Sequence, residues 1–330
     1  MKKKYIYLLL LPLAFLVSAC QSPQQNAGSG DKLQVMTSFY PIQALTQEVA
    51  GDHADVQVMI ANGQEVHDYE PSAKNLADLE QADLFVYNSK EMETWVPAML
   101  DSLNQDQVAV HEAAGQLDLM DGQVTTIDGV HHQGHDHDHE EEGEDAHDHA
   151  EGDLHVHAKD PHTWLDPVLA QREVQGIADA LSDRDPDHRA DYQANAKAFI
   201  EELDQLDQDF NQALADKKDR HFVVDHAAFN YLASRYDLEQ IALTSVDSTA
   251  SLSPAKLAQL EDFIRQRGIE VIFFQQGGSS KLADTIAHDT GIKTSSLTSM
   301  ESPDVSVEAN GQGYLSLMRQ NLTNLEDGLK

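Results

Sequence analysis

The sequence predicts an α/β protein in which two Rossmann-like parallel-sheet lobes are joined by one long rigid helix. Three observations carry this reading. From Lys32 to Leu329, short apolar runs of strand length alternate with longer amphipathic stretches, the order that builds parallel sheets covered by helices. The alternation occurs in two sets, one on each side of a single segment at 186–217. Within that segment Tyr192, Ala196, Phe199, Leu203, Leu206, Phe210 and Leu214 recur at three- and four-residue steps, which puts one apolar stripe on a helix.

In the first set, Leu33 to Phe39 reads as a strand and Pro41 to Val49 as a helix. Val56 to Ile60 is a strand, and Ser72 to Gln81 a helix with Ser72 as its cap. Asp83 to Tyr87 is a strand, Glu93 to Leu103 a helix, Val108 to Val110 a short strand and Val168 to Leu181 a helix. The connecting helix, about 30 residues, spans roughly 45 Å, longer than one lobe needs. In the second set His221 to Val224 is a strand, Ala227 to Tyr236 a helix and Glu239 to Leu243 a strand. Ser253 and Pro254 open a helix to Arg267, with Ser at the cap and Pro in the first turn. Glu270 to Phe274 is a strand, followed by helices at Ser280 to Thr290 and Gly313 to Leu329.

The N-terminus stands outside this fold. Lys2, Lys3 and Lys4 precede an apolar run from Tyr5 to Val17, then Ser18-Ala19-Cys20. The run is too short for a stable membrane span and has the layout of a secretory signal. The only Cys of the chain falls where cleavage after small residues would occur, the arrangement of a bacterial lipoprotein whose Cys20 is acylated. The expected organisation is a lipoprotein signal peptide at 1–19, a flexible tether at 20–31, an N-terminal lobe at 32–185, the linking helix at 186–217 and a C-terminal lobe at 218–330. The protein is expected outside the cytoplasm, held to the membrane through lipid on Cys20. With 22 Lys and Arg against 57 Asp and Glu, the net charge of −35 excludes nucleic acid as a partner. One Cys also excludes an internal disulfide and any Cys-based zinc or iron–sulfur site.

The first lobe carries an insert at 129–158. Between His131 and His157 there are nine His, ten Asp and Glu, and no Lys or Arg. Such a stretch has little to bury and is expected to be disordered. Its imidazoles (His131, His132, His135, His137, His139, His147, His149, His155 and His157) are donors for divalent transition metals. A mobile loop cannot hold a tight geometry, so it reads as a low-affinity collector.

A tight site needs His in ordered positions. His67 lies in a loop leading from strand to helix, His162 in a Pro-bounded turn before a helix, and His226 at the end of the strand that begins at Phe222. In open α/β sheets that edge is where ligands bind. His53, His111, His188, His221 and His288 fall on helices or within strands and read as surface or packing residues.

HDYEPS at 67–72, ADLFVYNSKEMETW at 82–95, DPHTWLDP at 160–167, DHAAFNYLASRY at 225–236, SPAKLAQLEDFI at 253–264, FFQQGGSSK at 273–281 and GYLSLMRQNLTNL at 313–325 together resemble the zinc-type, cluster A-I metal-binding lipoproteins of bacterial ABC importers. The resemblance covers nearly all of the chain beyond the signal. It implies two α/β lobes on one long helix, with metal ligands at His67, His162, His226 and Glu301 in the cleft between them. Two motifs depart from the family pattern. His226-Ala-Ala-Phe stands where the family often has His-Asp-Ala-Phe, and Gln275-Gln276 stand where relatives often carry acids, which speaks against a supporting role at that place.

Three imidazoles and one carboxylate suit zinc, whereas manganese-type relatives exchange one His for a carboxylate. Because the imidazoles must be neutral, affinity should fall as pH drops through about 6.5. The resemblance thus implies a non-enzymatic, monomeric zinc receptor that delivers Zn²⁺ to an ABC permease and its ATPase. The alternatives are a surface adhesin, a metal-buffering lipoprotein, or a receptor for manganese, nickel or copper. A zinc hydrolase is disfavoured because no His-Glu-x-x-His motif is present.

Overall fold

The computed structural model describes residues 32–122, 124–126, 129–131, 159–242, 254–275, 280–303 and 313–330. Two sheets organise it. In the first, β2 (Ala54–Val58), β1 (Leu33–Thr37), β3 (Leu84–Tyr87) and β4 (Ala109–Glu112) lie side by side and all parallel. In the second the order is β10 (Lys293–Leu297), β9 (Val271–Gln275), β7 (His221–Val224), β8 (Glu239–Ala242), β5 (Val124–Thr126) and β6 (Gly129–His131). Its strands are parallel except for the β5–β6 hairpin at one edge.

Helices α1 (Tyr40–Ala50), α2 (Ala73–Leu79), α3 (Val96–Leu100) and α4 (Pro167–Arg184) accompany the first sheet. Helices α6 (Asn230–Arg235), α7 (Pro254–Arg267), α8 (Ser280–Thr290) and α9 (Tyr314–Gly328) accompany the second. Between the sets runs α5 (Arg189–Leu214), 26 residues or about 39 Å long. Its seven stripe residues, Tyr192 to Leu214, are all buried. They belong to one apolar cluster that continues from Val35 and Leu45 in the first sheet's layer to Phe222, Phe273 and Leu325 in the second's. The lobes therefore share a core along α5 rather than hanging from a flexible strand.

Local chemistry explains where elements begin. Ser72 and Asn75 form a reciprocal capping box on α2. Asp166 caps α4 by accepting from the N–H groups of Val168 and Leu169, with Pro167 in the first turn. α3 starts three residues later than the sequence predicts. A helix from Glu93 would bring the Pro97 ring against the Glu93 carbonyl, so Pro97 sits in the first turn instead. α6 likewise starts late, because the Phe229 N–H is taken by the side-chain amide oxygen of Gln240 at 2.7 Å.

Three strands escape the sequence reading. β10 (KTSSL) is polar because it forms an edge and is half exposed. β5 and β6 are three residues each, and β5 joins the second sheet beside β8, although that stretch lies in sequence with the first lobe. The expected insert thus begins in a strand: His131, read as part of the collecting loop, is paired with Val124 in β6. The other eight insert histidines lie outside the described residues, as do Cys20 and the tether. At the insert's base Asp121 and Lys159 pair, with Nζ 2.6 Å from the carboxylate. Among the described residues no helix is long and apolar enough to cross a membrane.

Candidate metal centre

The four residues singled out in the sequence converge. His67 is in the loop between β2 and α2, His162 in the turn before α4, His226 just beyond the end of β7, and Glu301 beyond β10. His67, His226 and Glu301 follow the carboxyl ends of β2, β7 and β10, where parallel sheets leave backbone groups and space for a ligand, and the turn that carries His162 joins them there. The three imidazole rings form a near-regular triangle with centroids 5.4, 5.6 and 5.9 Å apart. Their side chains are at most 8% exposed.

Oε1 of Glu301 lies 3.4 Å from Nε2 of His67, 2.6 Å from Nε2 of His162 and 3.3 Å from Nε2 of His226. The four donors are all within 4.8 Å of one another. In a tetrahedral zinc site with bonds of about 2.0–2.1 Å, neighbouring donors stand about 3.3 Å apart. Two of the three carboxylate–imidazole distances already have that value.

The supporting contacts set which nitrogen faces inward. Oδ1 of Asp160 accepts from the His162 backbone N–H at 3.0 Å and lies 2.7 Å from Nδ1. Nδ1 therefore carries a proton, and Nε2 is turned to the cluster. Oδ2 of Asp160 accepts from the Asn230 amide at 2.9 Å, and Asn230 in turn accepts from Gln240 at 2.7 Å. Further links tie the 160–166 turn to the second sheet's side. Tyr231 OH donates to the Asp160 carbonyl, and the Trp164 indole N–H donates to the Ser299 carbonyl, both at 2.8 Å. Arg235 grips Asp166 through Nε and a terminal nitrogen at 2.7–3.0 Å. His162, first-lobe in sequence, is thus held from both sides.

Electrostatics follow from this crowding. Burial favours neutral imidazole at His162, yet Glu301 and Asp160 on its two sides push its pKa up to about 10. At His67 burial likewise works downward, and the Glu301 carboxylate outweighs it. Burial would raise the Glu301 carboxyl, but His226 and His162 hold it well below the ordinary carboxylate range. The pH window expected from free imidazole therefore moves upward in the folded protein.

Sequence reasoning missed several participants. Asp160 had a local signal, a carboxylate two residues before a candidate His. Asn230 and Ser299 had none, since only folding brings them near. Gln275, set aside on the sequence, donates to Ser299 Oγ at 3.0 Å. Two buried acids also lie in the first lobe. Burial pushes Glu93 up to about 7 and Glu173 up to about 8.

Two α/β lobes that meet at a buried group of side chains able to hold a metal ion give this chain the fold of bilobal solute-binding proteins. Residues 35–328 match the family described as zinc-uptake complex component A periplasmic, ZnuA, and the chain belongs to that family. The zinc-binding lipoprotein AdcA of Streptococcus pneumoniae (strain ATCC BAA-255 / R6) is 40% identical over 326 residues, covering 99% of this chain and 61% of that protein. The chain thus spans less than two thirds of that relative's length. The high-affinity zinc uptake system protein ZnuA of Bacillus subtilis (strain 168) is 38% identical over 333 residues, covering 100% of this chain and 99% of that protein. Among solved structures, the Zn(II)-bound ZnuA-like domain of S. pneumoniae AdcA superimposes with a TM-score of 0.74 at 37% identity, covering 90% of this chain and 98% of that one.

Proposed function

We propose that this chain is the extracytoplasmic zinc-binding component of an ABC importer, with His67, His162, His226 and Glu301 as the ligands of Zn²⁺. The observation that carries the reading is one buried carboxylate oxygen within 3.4 Å of three imidazole Nε2 atoms. Three neutral nitrogen donors and one oxygen satisfy a four-coordinate ion of borderline softness. Four protein donors leave no open position for an activated water, which suits a carrier and not a hydrolase. The resemblance to named zinc lipoproteins and uptake proteins supports the same cargo, a permease partner, and anchoring through lipid on Cys20.

In this reading His162 carries a second proton in the metal-free protein and surrenders it when Zn²⁺ arrives, while Asp160 keeps Nδ1 oriented. Reprotonation of the imidazoles, or parting of the two sides by the permease, releases the ion. The test is metal analysis and zinc titration of the purified protein and of His226→Ala. One tight zinc equivalent in the parent and a loss of orders of magnitude in the variant are expected. Tight binding that survives His226→Ala means the ligands lie elsewhere.

A further inference from the structure

Glu301 is itself held. Ser299 Oγ donates to Oε2 of Glu301 at 3.0 Å, and the Gln275 amide donates to Ser299 Oγ at 3.0 Å. The direction of this chain is fixed by proton count. A carboxylate only accepts, so the single Ser299 proton goes to Glu301, and Ser299 accepts from the Gln275 amide. Gln275 also donates its backbone N–H to both carboxylate oxygens of Asp225, the residue before His226, at 3.0 Å. Ser299 is fully buried. Next to it the chain turns through Met300 in the left-handed region, φ 63°, and the Asn321 side chain clamps the Thr298 backbone at 2.8 and 2.9 Å. The hydroxyl is therefore carried on a fixed backbone.

The consequence is an unequal carboxylate. Oε2 is engaged by the Ser299 hydroxyl and lies 3.1 Å from Nε2 of His226 alone, whereas Oε1 is approached by all three imidazoles, at 2.6–3.4 Å. We propose that Ser299, oriented by Gln275, restrains Glu301 to a single metal-facing oxygen and so selects four-coordinate ions over those that need five or six donors. Ser299 and Gln275 are positioning and specificity-determining residues, a role that rests on the zinc site proposed above. An ion such as Mn²⁺, which gains from both carboxylate oxygens, is handicapped because Oε2 must first leave its hydroxyl. Replacing the Gln275 amide by a carboxylate (Gln275→Glu) makes residue 275 an acceptor. It then competes for the Ser299 proton and frees Oε2 by a different route.

The experiment uses Co²⁺, Zn²⁺ and Mn²⁺ with the full chain, the variants Ser299→Ala, Ser299→Thr and Gln275→Glu, and two readouts. One is the intensity of the Co²⁺ ligand-field bands, strong for four-coordinate and weak for higher-coordinate ions. The other is the ratio of Zn²⁺ to Mn²⁺ affinity. Ser299→Ala and Gln275→Glu should each weaken the Co²⁺ bands and lower the ratio about tenfold or more, and Ser299→Thr should restore both. If Ser299→Ala does not fold, Gln275→Glu carries the test alone. A parent with intense Co²⁺ bands and variants with the same bands and ratio overturn the positioning role while leaving the zinc site standing. A parent that takes no tight Zn²⁺, or whose Co²⁺ form is not four-coordinate, overturns both.

Discussion

Glu173→Gln should change how the stability of the metal-free protein responds to pH, and the structure sets the size of the change. Glu173 is fully buried on α4, and neither carboxylate oxygen has a well-directed hydrogen-bond partner among the described residues. Burial pushes its pKa from 4.5 to about 8, with Asp166 and Glu93 adding to the rise and the Thr163 hydroxyl offsetting part of it. The folded protein therefore keeps a proton that the unfolded chain loses above pH 4.5. Between those values folding binds about one extra proton, so stability falls as pH rises, by about 1.4 kcal/mol per unit. From pH 5 to 8 the loss from this one group is about 3 to 4 kcal/mol, a large share of the net stability of a typical domain. Glutamine keeps the shape and stays neutral, so the variant should lack this loss. The two proteins should be within about 1 kcal/mol of each other at pH 5, and the variant should be more stable by about 3 kcal/mol at pH 8. His162 and Glu301 titrate in both proteins and cancel in the difference, and Glu93 does so apart from its coupling to Glu173. Urea unfolding with a chelator present, at unit steps from pH 5 to 8, measures it. Parallel pH curves for the two proteins, or a variant that loses ground as pH rises, would refute the buried-acid argument.

Zinc affinity should keep rising with pH well beyond the imidazole range. With His162 pushed up to about 10, each bound Zn²⁺ displaces at least one proton at neutral pH, and affinity should gain about tenfold per unit from pH 6 to 8. Competition with a chromophoric chelator reads this, and a plateau above pH 7 would show His162 already neutral in the metal-free protein. Deleting 132–157, which spares β6, should remove the extra weak zinc equivalents seen by calorimetry. A loss of more than about tenfold in the tight site, roughly 1.4 kcal/mol, would make the insert part of that site. Cys20→Ala should release the protein from the membrane fraction, and persistent attachment would mean that something other than this lipid holds it.

The sequence by itself determined the class of fold and the connecting helix, because both are written in local periodicity. The stripe from Tyr192 to Leu214 appears buried residue for residue, since a helix of this length has only one way to hide seven apolar side chains. A helix start was legible where the sequence offered a clear cap, as at Ser72, whereas the start at Asp166 and the role of Pro97 in the first turn of α3 emerge only in the structure. The three histidines stood out as candidates because strand-to-helix edges are positions a sequence reveals, whereas Glu301 came into view only through resemblance to a family. What folding alone decided is pairing between distant segments. β10 is polar because an edge strand need not be apolar, and β5 crosses to the second sheet through a single register that no periodicity announces. Asp160 meets Asn230 across 70 residues, and Gln275 reaches Ser299 across 24. Their roles come from being buried next to charge, not from the residue types or spacing around them. The same cause places the imidazole pKa values: Glu301 and Asp160 flank His162 only once both sheets are assembled, and that proximity, with water excluded, moves its titration beyond what any free histidine would show.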